Sequence, residues 1–203
     1  MLATEWFWAM AQFFAIIISL FLILRQIRIQ THANMLALFA QMEQRWNSEP
    51  LQIARREICS THGQSKRITR SDEFVLSFFE DLGLYLKKNV LSADLMWEAQ
   101  SYYVEHYWPV LQPKIVEFRL RSNDRSWYSN FEYLVGRLEK RSRKNGSTFG
   151  KSDEQLTRFL NGERERLPVE SNPEQLPTSI PVFRDSVQIP QQPEATSRSE
   201  VPA

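Results

Sequence analysis

The longest apolar run of the chain lies at its start. From Trp6 to Leu24 the sequence WFWAMAQFFAIIISLFLIL contains 19 residues without a charge. A helix of that length rises about 28 Å, which is close to the hydrocarbon thickness of a bilayer. Trp6 and Trp8 lie where an aromatic belt at the membrane surface is expected. The run therefore predicts a transmembrane helix, and we assign residues 1–28 to a membrane anchor.

Two other interpretations of this run fit the flanking residues less well. A cleavable signal peptide has positive charge before the run and a small-residue cleavage site after it. Here Glu5 is the only charge before the run, and LILRQIR follows it. A helix that is apolar all round is rarely buried in so small a protein. Because Arg25 and Arg28 follow the run and no Lys or Arg precedes it, the positive-inside rule predicts an external N-terminus and a cytoplasmic remainder.

Residues 29–144 repeat apolar positions at helical spacing and show almost no strand alternation. The first stripe comprises Met35, Phe39, Met42 and Trp46, and no Pro or Gly lies between residues 5 and 48. We therefore expect the anchor to continue as one helix out of the membrane. Later helices are predicted to begin at the N-cap residues Ser48, Ser71 and Ser92, with an interruption near Pro109 and Pro113.

These stripes predict an all-α protein, in which one N-terminal transmembrane helix continues into a small cytoplasmic bundle of about five helices. The pattern changes at residue 145. Ser152 and Gln155 have the spacing of a capping box, which predicts one short helix over residues 152–166. Beyond it the chain is rich in Pro, Ser, Gln and Glu and cannot bury enough apolar surface to fold. We assign 145–203 to a linker with this helix and a disordered tail.

The net charge of +1 conceals an uneven distribution along the chain. Residues 25–150 have 19 Lys and Arg against 14 Asp and Glu, whereas residues 151–203 have 6 against 9. So small and dispersed an excess does not indicate a nucleic-acid partner. One basic cluster is a candidate contact for anionic lipid, although charge at a helix C-terminus also complements the helix dipole. It comprises Arg137, Lys140, Arg141, Arg143 and Lys144.

The stretch GSTFGKS (146–152) resembles a phosphate-binding loop. The nucleotide-binding pattern places four residues between its glycines, whereas only three separate Gly146 from Gly150. The stretch also follows a charged helix end, EKRSRKN, where a nucleotide-binding loop follows a buried strand. We expect a loop here and no nucleotide partner.

Other candidate chemistry is sparse, and no sequence pattern of a catalytic site or a cofactor is present. The single cysteine, Cys59, is expected to be a buried helix residue. Glu98, Tyr102, Glu105 and His106 share one predicted helix. Such a set can bind a metal or move protons. It can equally be a solvated helix edge, which we favour because no further ligand appears elsewhere. The sequence does not indicate an enzyme, and we expect no metal or cofactor.

Several short motifs resemble an uncharacterised family of small bacterial membrane proteins. They are THAN (31–34), the pair Arg45-Trp46 followed by ARR (54–56), FFEDLGLYLKKNVLS (78–92), Tyr107-Trp108 and Phe131-Glu132. The resemblance covers residues 5–140. It implies one N-terminal span, a helical cytoplasmic part and a location in the bacterial inner membrane. Some relatives of similar layout are labelled phage abortive-infection proteins.

The resembling residues have structural interpretations. Trp46 closes the first apolar stripe, Gly83 allows two helices to approach closely, and Arg55 and Arg56 are expected to pair with Glu80 or Asp81. The candidate functional or structural residues are Trp46, Arg55, Arg56, Glu80 and Trp108.

Two functions fit this picture. The first is a membrane-anchored interaction or accessory module, with a protein partner or a second copy bound through the helix that leaves the membrane. The alternative is a membrane-tethered phage-defence effector or toxin.

Overall fold

The computed structural model of the protein describes residues 2–167. Within this range the chain forms six helices and no strand, which confirms the all-α prediction. The disordered tail predicted from the sequence lies, from residue 168 onward, outside the described residues. The helices are α1 (Leu2–Trp46), α2 (Glu49–Thr61), α3 (Arg70–Lys87), α4 (Ala93–Ser122), α5 (Ser129–Lys144) and α6 (Asp153–Arg166).

Helix α1 is one continuous helix of 45 residues, as its lack of Pro and Gly predicts. Its N-terminal part is long and apolar enough to cross a membrane, with a mean hydropathy of 2.4 over the most apolar window. The large apolar side chains of this part, such as Ile16 and Phe21, are about 60% and 67% exposed. Burial against the other helices begins at Met35, which is partly buried, and is complete at Met42 and Trp46. The bundle therefore holds only the last turns of α1.

Three of the predicted helix starts are confirmed, but one is wrong. Ser92 and Ser152 are the N-caps of α4 and α6, and Ser152 forms the predicted capping box with Gln155. Ser48 precedes α2, although its hydroxyl donates to the carbonyl of Arg45 instead of capping. The cap of α3 is Thr69 and not Ser71. Thr69 is the N-cap because Asp72, three residues later, completes a capping box with it.

The predicted interruption of α4 at Pro109 and Pro113 is also wrong, because the helix runs through both prolines. Both are exposed, so the missing amide hydrogen bonds lie on the outer side of the helix. On the inner side Leu111 and Ile115 are buried in the core. Packing of this inner face holds the helix together where the local sequence favours a break.

Helix α3 lies at the centre of the bundle and packs against α2, α4 and α5. Gly83 makes the approach to α5 possible, as predicted, because a Cβ atom there would lie 2.0 Å from the carbonyl oxygen of Asn130. Phe79 and Phe131 stack across the same contact with their ring centroids 4.7 Å apart.

Helix α6 is part of the bundle, so the packed structure continues beyond the expected domain boundary at residue 144. It packs against α2, and Phe159 and Leu160 on its inner face are buried. Only 14 residues long, α6 gains its stability from this contact and from its capping box.

Candidate functional site

Trp46 forms the centre of an aromatic cluster at the junction of α1 with the bundle. It is 1% exposed and contacts the rings of Phe78, Phe79, Tyr103 and Tyr107 at centroid distances of 4.8 to 5.9 Å. The sequence places it there because it lies one helical turn after Met42 on the buried stripe of α1. Trp46 thus joins the long N-terminal helix to α3 and α4.

A buried ion pair lies against this cluster. The guanidinium of Arg55 on α2 lies over the Trp46 ring, 4.1 Å from its centroid. Its Nε and Nη2 both donate to Oε2 of Glu163 on α6, Nε at 3.0 Å, and its Nη1 donates to the Trp46 carbonyl at 3.3 Å. The hydroxyl of Tyr107 donates to the same carboxylate oxygen at 3.1 Å. We call Trp46, Arg55, Tyr107 and Glu163 the Arg55 cluster.

The predicted pairing of Arg55 and Arg56 with Glu80 or Asp81 is therefore wrong. Arg55 pairs with Glu163, and Arg56 donates to the carbonyl of Leu167 just after α6. Both arginines lie on α2, which packs against α6 as well as α3, so the stretch ARR (54–56) is in part a docking surface for α6.

Glu80 and Asp81 have other partners. Asp81 pairs with Arg45 at 2.6 Å, which ties the end of α1 to α3. Glu80 accepts from the backbone amides of Asn130 and Phe131 at 3.2 and 2.8 Å, so it caps the start of α5 from a neighbouring helix. Burial raises the pKa of Glu80, and the hydrogen bonds from Phe131 and Asn130 oppose that rise.

Trp108 lies apart from the Arg55 cluster. It is half-buried and meets Phe131 edge to face, with centroids 5.1 Å apart. Of the five candidate residues, the structure thus brings Trp46 and Arg55 together and places Glu80 and Trp108 at the start of α5. Arg56 holds the end of α6.

Cys59 is buried near the Arg55 cluster, as predicted. Burial, with a smaller effect of the Glu163 charge, raises the pKa of the thiol to about 12. Burial likewise raises the pKa of the Tyr107 hydroxyl well above its ordinary value. Both shifts favour the protonated, uncharged form of the group. The hydrogen bonds of the Arg55 cluster join α1, α2, α4 and α6.

A second buried ion pair anchors the start of α3. The Lys114 ammonium donates to both carboxylate oxygens of Asp72 at 2.7 and 2.8 Å. Thr69 donates to the same carboxylate through its amide and its hydroxyl. Asp72 is fully buried, so these four hydrogen bonds replace those to the water that it loses.

The stretch 146–152 is a loop, as its spacing predicts, and it lies beside a cleft between α4 and α6. The cleft has a volume of about 320 Å³, and its lining residues include His106, Lys151 and Phe159. Lys151, the lysine of the phosphate-loop resemblance, pairs with Glu105 at 2.6 Å. The loop therefore closes back onto α4 and does not form a phosphate cradle.

His106 stacks on Phe159 with centroids 4.3 Å apart, and its Nδ1 donates to the Tyr102 carbonyl at 2.6 Å. Burial lowers the pKa of His106, and the Tyr102 hydrogen bond opposes that effect. Glu105 pairs with Lys151, whereas Glu98 is exposed to solvent. The two carboxylates therefore do not form a common site on this helix. Among residues 2–167, no group of three or more His, Cys, Asp or Glu side chains is placed to hold a metal ion.

The basic cluster at the end of α5 is largely solvent-exposed. Arg141 pairs with Asp94 at 2.9 Å and Arg143 with Glu139 at 2.5 Å. Its other members are Arg137, Lys140 and Lys144. Surface pairs of this kind contribute little to stability, so the cluster is available to an anionic surface. That it contacts lipid stays a prediction.

An exposed apolar patch occupies the C-terminal half of α4. Val116 and Leu120 lie one turn apart on the same face and are 47% and 73% exposed. They line a surface groove with Arg119, Asn123 and Arg125, and no acidic residue lines it. We call these five residues the α4 patch.

Glu163 and the α4 patch were not predicted from the sequence, and Tyr107 entered only through the family resemblance of Tyr107-Trp108. The signal for Glu163 is its position four residues after Phe159, which places a carboxylate on the apolar face of α6. The signal for the patch is the pair of apolar residues, Val116 and Leu120, on a second face of α4. A charge on an apolar face and an apolar pair on a polar face are both departures from the usual burial pattern, and here each marks a contact or a surface patch.

Residues 9–138, well over half of the chain, match a family described as a domain of unknown function, DUF4760. The chain belongs to this family. No curated protein and no solved structure matches it at a significant level. The prediction of an uncharacterised family is thus confirmed. The match to DUF4760 covers most of α1 and all of α2 to α4, and it ends within α5, so Glu163 lies outside it.

Proposed function

We propose that this DUF4760 protein is a single-pass protein of the bacterial inner membrane, with its N-terminus outside. Its helical domain in the cytoplasm is an interaction module. The observation that carries the anchoring is the uncovered apolar surface of α1, which none of the other described helices buries. A surface of this size is unfavourable in water and favourable in lipid. Arg25 and Arg28 support the orientation.

The α4 patch supports the interaction role. Leu120, at 73%, is the most exposed of the large apolar side chains described. Exposed apolar residues rimmed by polar ones mark interaction sites in soluble domains. The rim here is cationic: Arg125 lies beside Val116 and Leu120, and Arg119 lies there too, although it also pairs with Glu132 at 2.9 Å. The chemistry fits a protein surface that combines apolar side chains with Asp or Glu.

Site-specific photo-crosslinking tests the interaction role. A photo-reactive amino acid replaces Leu120 in the full chain, expressed in bacteria and irradiated in living cells. The matched control carries the same photo-reactive amino acid at Asn161, which is exposed on α6, away from the α4 patch. We expect one discrete adduct from position 120, lost when Arg119 and Arg125 are changed to Glu, and none from position 161. Identical adducts from both positions would contradict a specific surface.

Fractionation tests the anchoring and its orientation. The full chain should stay in the membrane pellet after alkaline carbonate extraction. Trypsin should then cleave the basic cluster of α5 in inverted vesicles and leave it intact in spheroplasts. Cleavage in intact spheroplasts would reverse the orientation, and release by carbonate would refute the anchor.

The contacts of the described residues do not favour the alternative of a phage-defence effector or toxin. That hypothesis needs Arg55 and Arg56 as functional groups, whereas both are engaged by α6. A reactive arginine must reach a substrate, and Arg55 is only 4% exposed. If induction of the wild-type chain arrests growth and Arg56→Ala abolishes the arrest, the effector or toxin hypothesis would be supported.

A further inference from the structure

Helix α1 carries a regular row of residues on the side that the bundle leaves free. The row alternates steps of three and four residues, the 3.5-residue period of a coiled-coil contact face. We call it the α1 seam: Gln12, Ala15, Ser19, Leu22, Gln26, Ile29, Ala33, Leu36 and Ala40. One set of alternate positions is Ala15, Leu22, Ile29 and Leu36, and the other set is small or polar throughout.

The bundle does not cover this row. Leu22, Ile29 and Leu36 are 54%, 59% and 57% exposed, and every other member is exposed as well. The bundle contacts α1 through Leu38, Met42 and Trp46, with Met35 and Phe39 partly buried against the same core. At about 100° per residue, Leu38 lies roughly 200° round the helix from Leu36, so the two faces are on different sides of α1.

Lipid does not explain the second half of the row. Ile29 and Leu36 follow Arg25 and Arg28, which lie at or beyond the membrane surface in the proposed orientation. An isolated helix in water gains nothing from apolar residues on a free face. A row that keeps its period from the span into water points to one continuous contact with another helix.

Gln12 supplies an independent observation from the span. Its amide lies on the seam, on a shallow groove that Ala15 and Ser19 also line. Within the described residues it has no hydrogen-bond partner, whereas the Ser19 hydroxyl donates to the Ala15 carbonyl at 2.8 Å. Lipid offers no partner to an amide, and amide side chains in spans hydrogen-bond across helix pairs.

We propose that the α1 seam is a homodimer interface, in which two copies pair α1 in parallel from Gln12 to Ala40. The membrane gives both copies the same orientation, so each seam residue meets its own counterpart at the same depth. Two Gln12 amides can then satisfy each other and fix the register. This inference rests on the proposed membrane anchoring, and it identifies a second copy of the chain as the partner of α1.

The charges beside the seam allow this pairing. In a parallel pair each flanking residue meets the one five positions on in the other copy. Arg25 would face Gln30 of the second copy, and His32 would face Ala37. No pair of like charges is brought together on these flanks. Small side chains at Ala33 and Ala40 allow close approach of the two helices.

A cysteine scan tests the interface in the full chain. Single cysteines replace each residue from Gln26 to Leu36 in turn, and isolated membranes are oxidised with copper phenanthroline. Cross-linked dimer is then measured on a non-reducing gel. The wild type, whose only cysteine is the buried Cys59, gives the background. Matched controls are Thr31→Cys and Asn34→Cys, which are equally exposed but lie off the seam.

We expect dimer yield to peak at positions 26, 29, 33 and 36, several-fold above positions 31 and 34, with a period of about 3.5 residues. A flat profile, or a peak at 31 and 34, would overturn the proposal. Carbonate extraction of the same membranes distinguishes a failure of the dimer proposal from a failure of the anchoring proposal. A chain that is integral but does not cross-link refutes the dimer alone, and a chain that is extracted refutes the anchor.

Discussion

The buried pair of Arg55 and Glu163 makes the bundle depend on α6, and the substitution Glu163→Gln measures how much. The amide keeps the shape of the carboxylate but removes the only carboxylate that Arg55 contacts among the described residues. With side chains 5% and 6% exposed, neither partner can recover its hydration. Removing one partner of such a pair costs about 3–5 kcal/mol. That is a large fraction of the 5–15 kcal/mol that stabilises a typical domain.

Thermal unfolding of the full chain in detergent micelles, followed by circular dichroism at 222 nm, is the assay. For a domain of this size, a loss of 3–5 kcal/mol lowers the Tm by roughly 10–20 °C. Replacing both partners, by Arg55→Met with Glu163→Leu, should restore much of that loss because no charge is left buried. The control is Arg158→Gln in the same helix, which breaks an exposed pair with Glu154 and should change the Tm little.

Two results would refute this reasoning. If Glu163→Gln unfolds at the same temperature as Arg158→Gln, the guanidinium is hydrated in solution and α6 is not held by charge. If the double variant is as unstable as the single one, the loss comes from the shape of the site and not from an uncompensated charge.

Three further predictions address other parts of the bundle. Gly83→Ala should lower the Tm strongly, since the new Cβ would meet Asn130, whereas Gly136→Ala on α5, where nothing lies within 4 Å, should hold or raise it. Cys59 should resist N-ethylmaleimide at pH 8 in the folded chain and react in urea, because a pKa of about 12 leaves little thiolate; fast labelling without urea would contradict its burial. His106 has a lowered pKa when folded, so below about pH 6.5 the unfolded chain binds a proton that the folded chain does not. The free energy of unfolding should therefore fall from pH 7 to pH 5, and fall less steeply in His106→Gln; equal slopes would exclude this contribution.

The helical fold was predictable because its signals are local. Residues only a few positions apart determine each of these signals. They are the apolar stripe that ends at Trp46, the capping box of Ser152 and Gln155, and the absence of helix breakers in α1. The errors arose where packing outweighs a local signal. At Pro109 and Pro113 the buried inner face of α4 preserves a helix that proline disfavours.

The candidate site was less predictable because its partners are far apart in sequence. Arg55 and Glu163 are separated by 108 positions, and no spacing rule connects them. The nearer acids Glu80 and Asp81 offered a plausible alternative, but α3 turns them toward α5 and Arg45. Trp46 was correctly predicted to pack because the helical stripe determines the face of α1 on which its side chain lies. The partner of a buried charge depends instead on how all the helices are arranged.

The unbroken α1 also has a geometric consequence. With no proline or glycine between the apolar run and Trp46, the continuous helix fixes both the distance and the rotation angle between the apolar run and the bundle. Each residue added between Gln30 and Asn34 would turn the bundle by about 100° around the axis of α1 and move it about 1.5 Å further from the apolar run. Seven added residues would bring it back nearly to its starting azimuth. In the proposed membrane-anchored protein, α1 would thus set which side of the bundle faces a neighbour in the membrane plane, and we expect the length of α1 to vary in steps of whole helical turns.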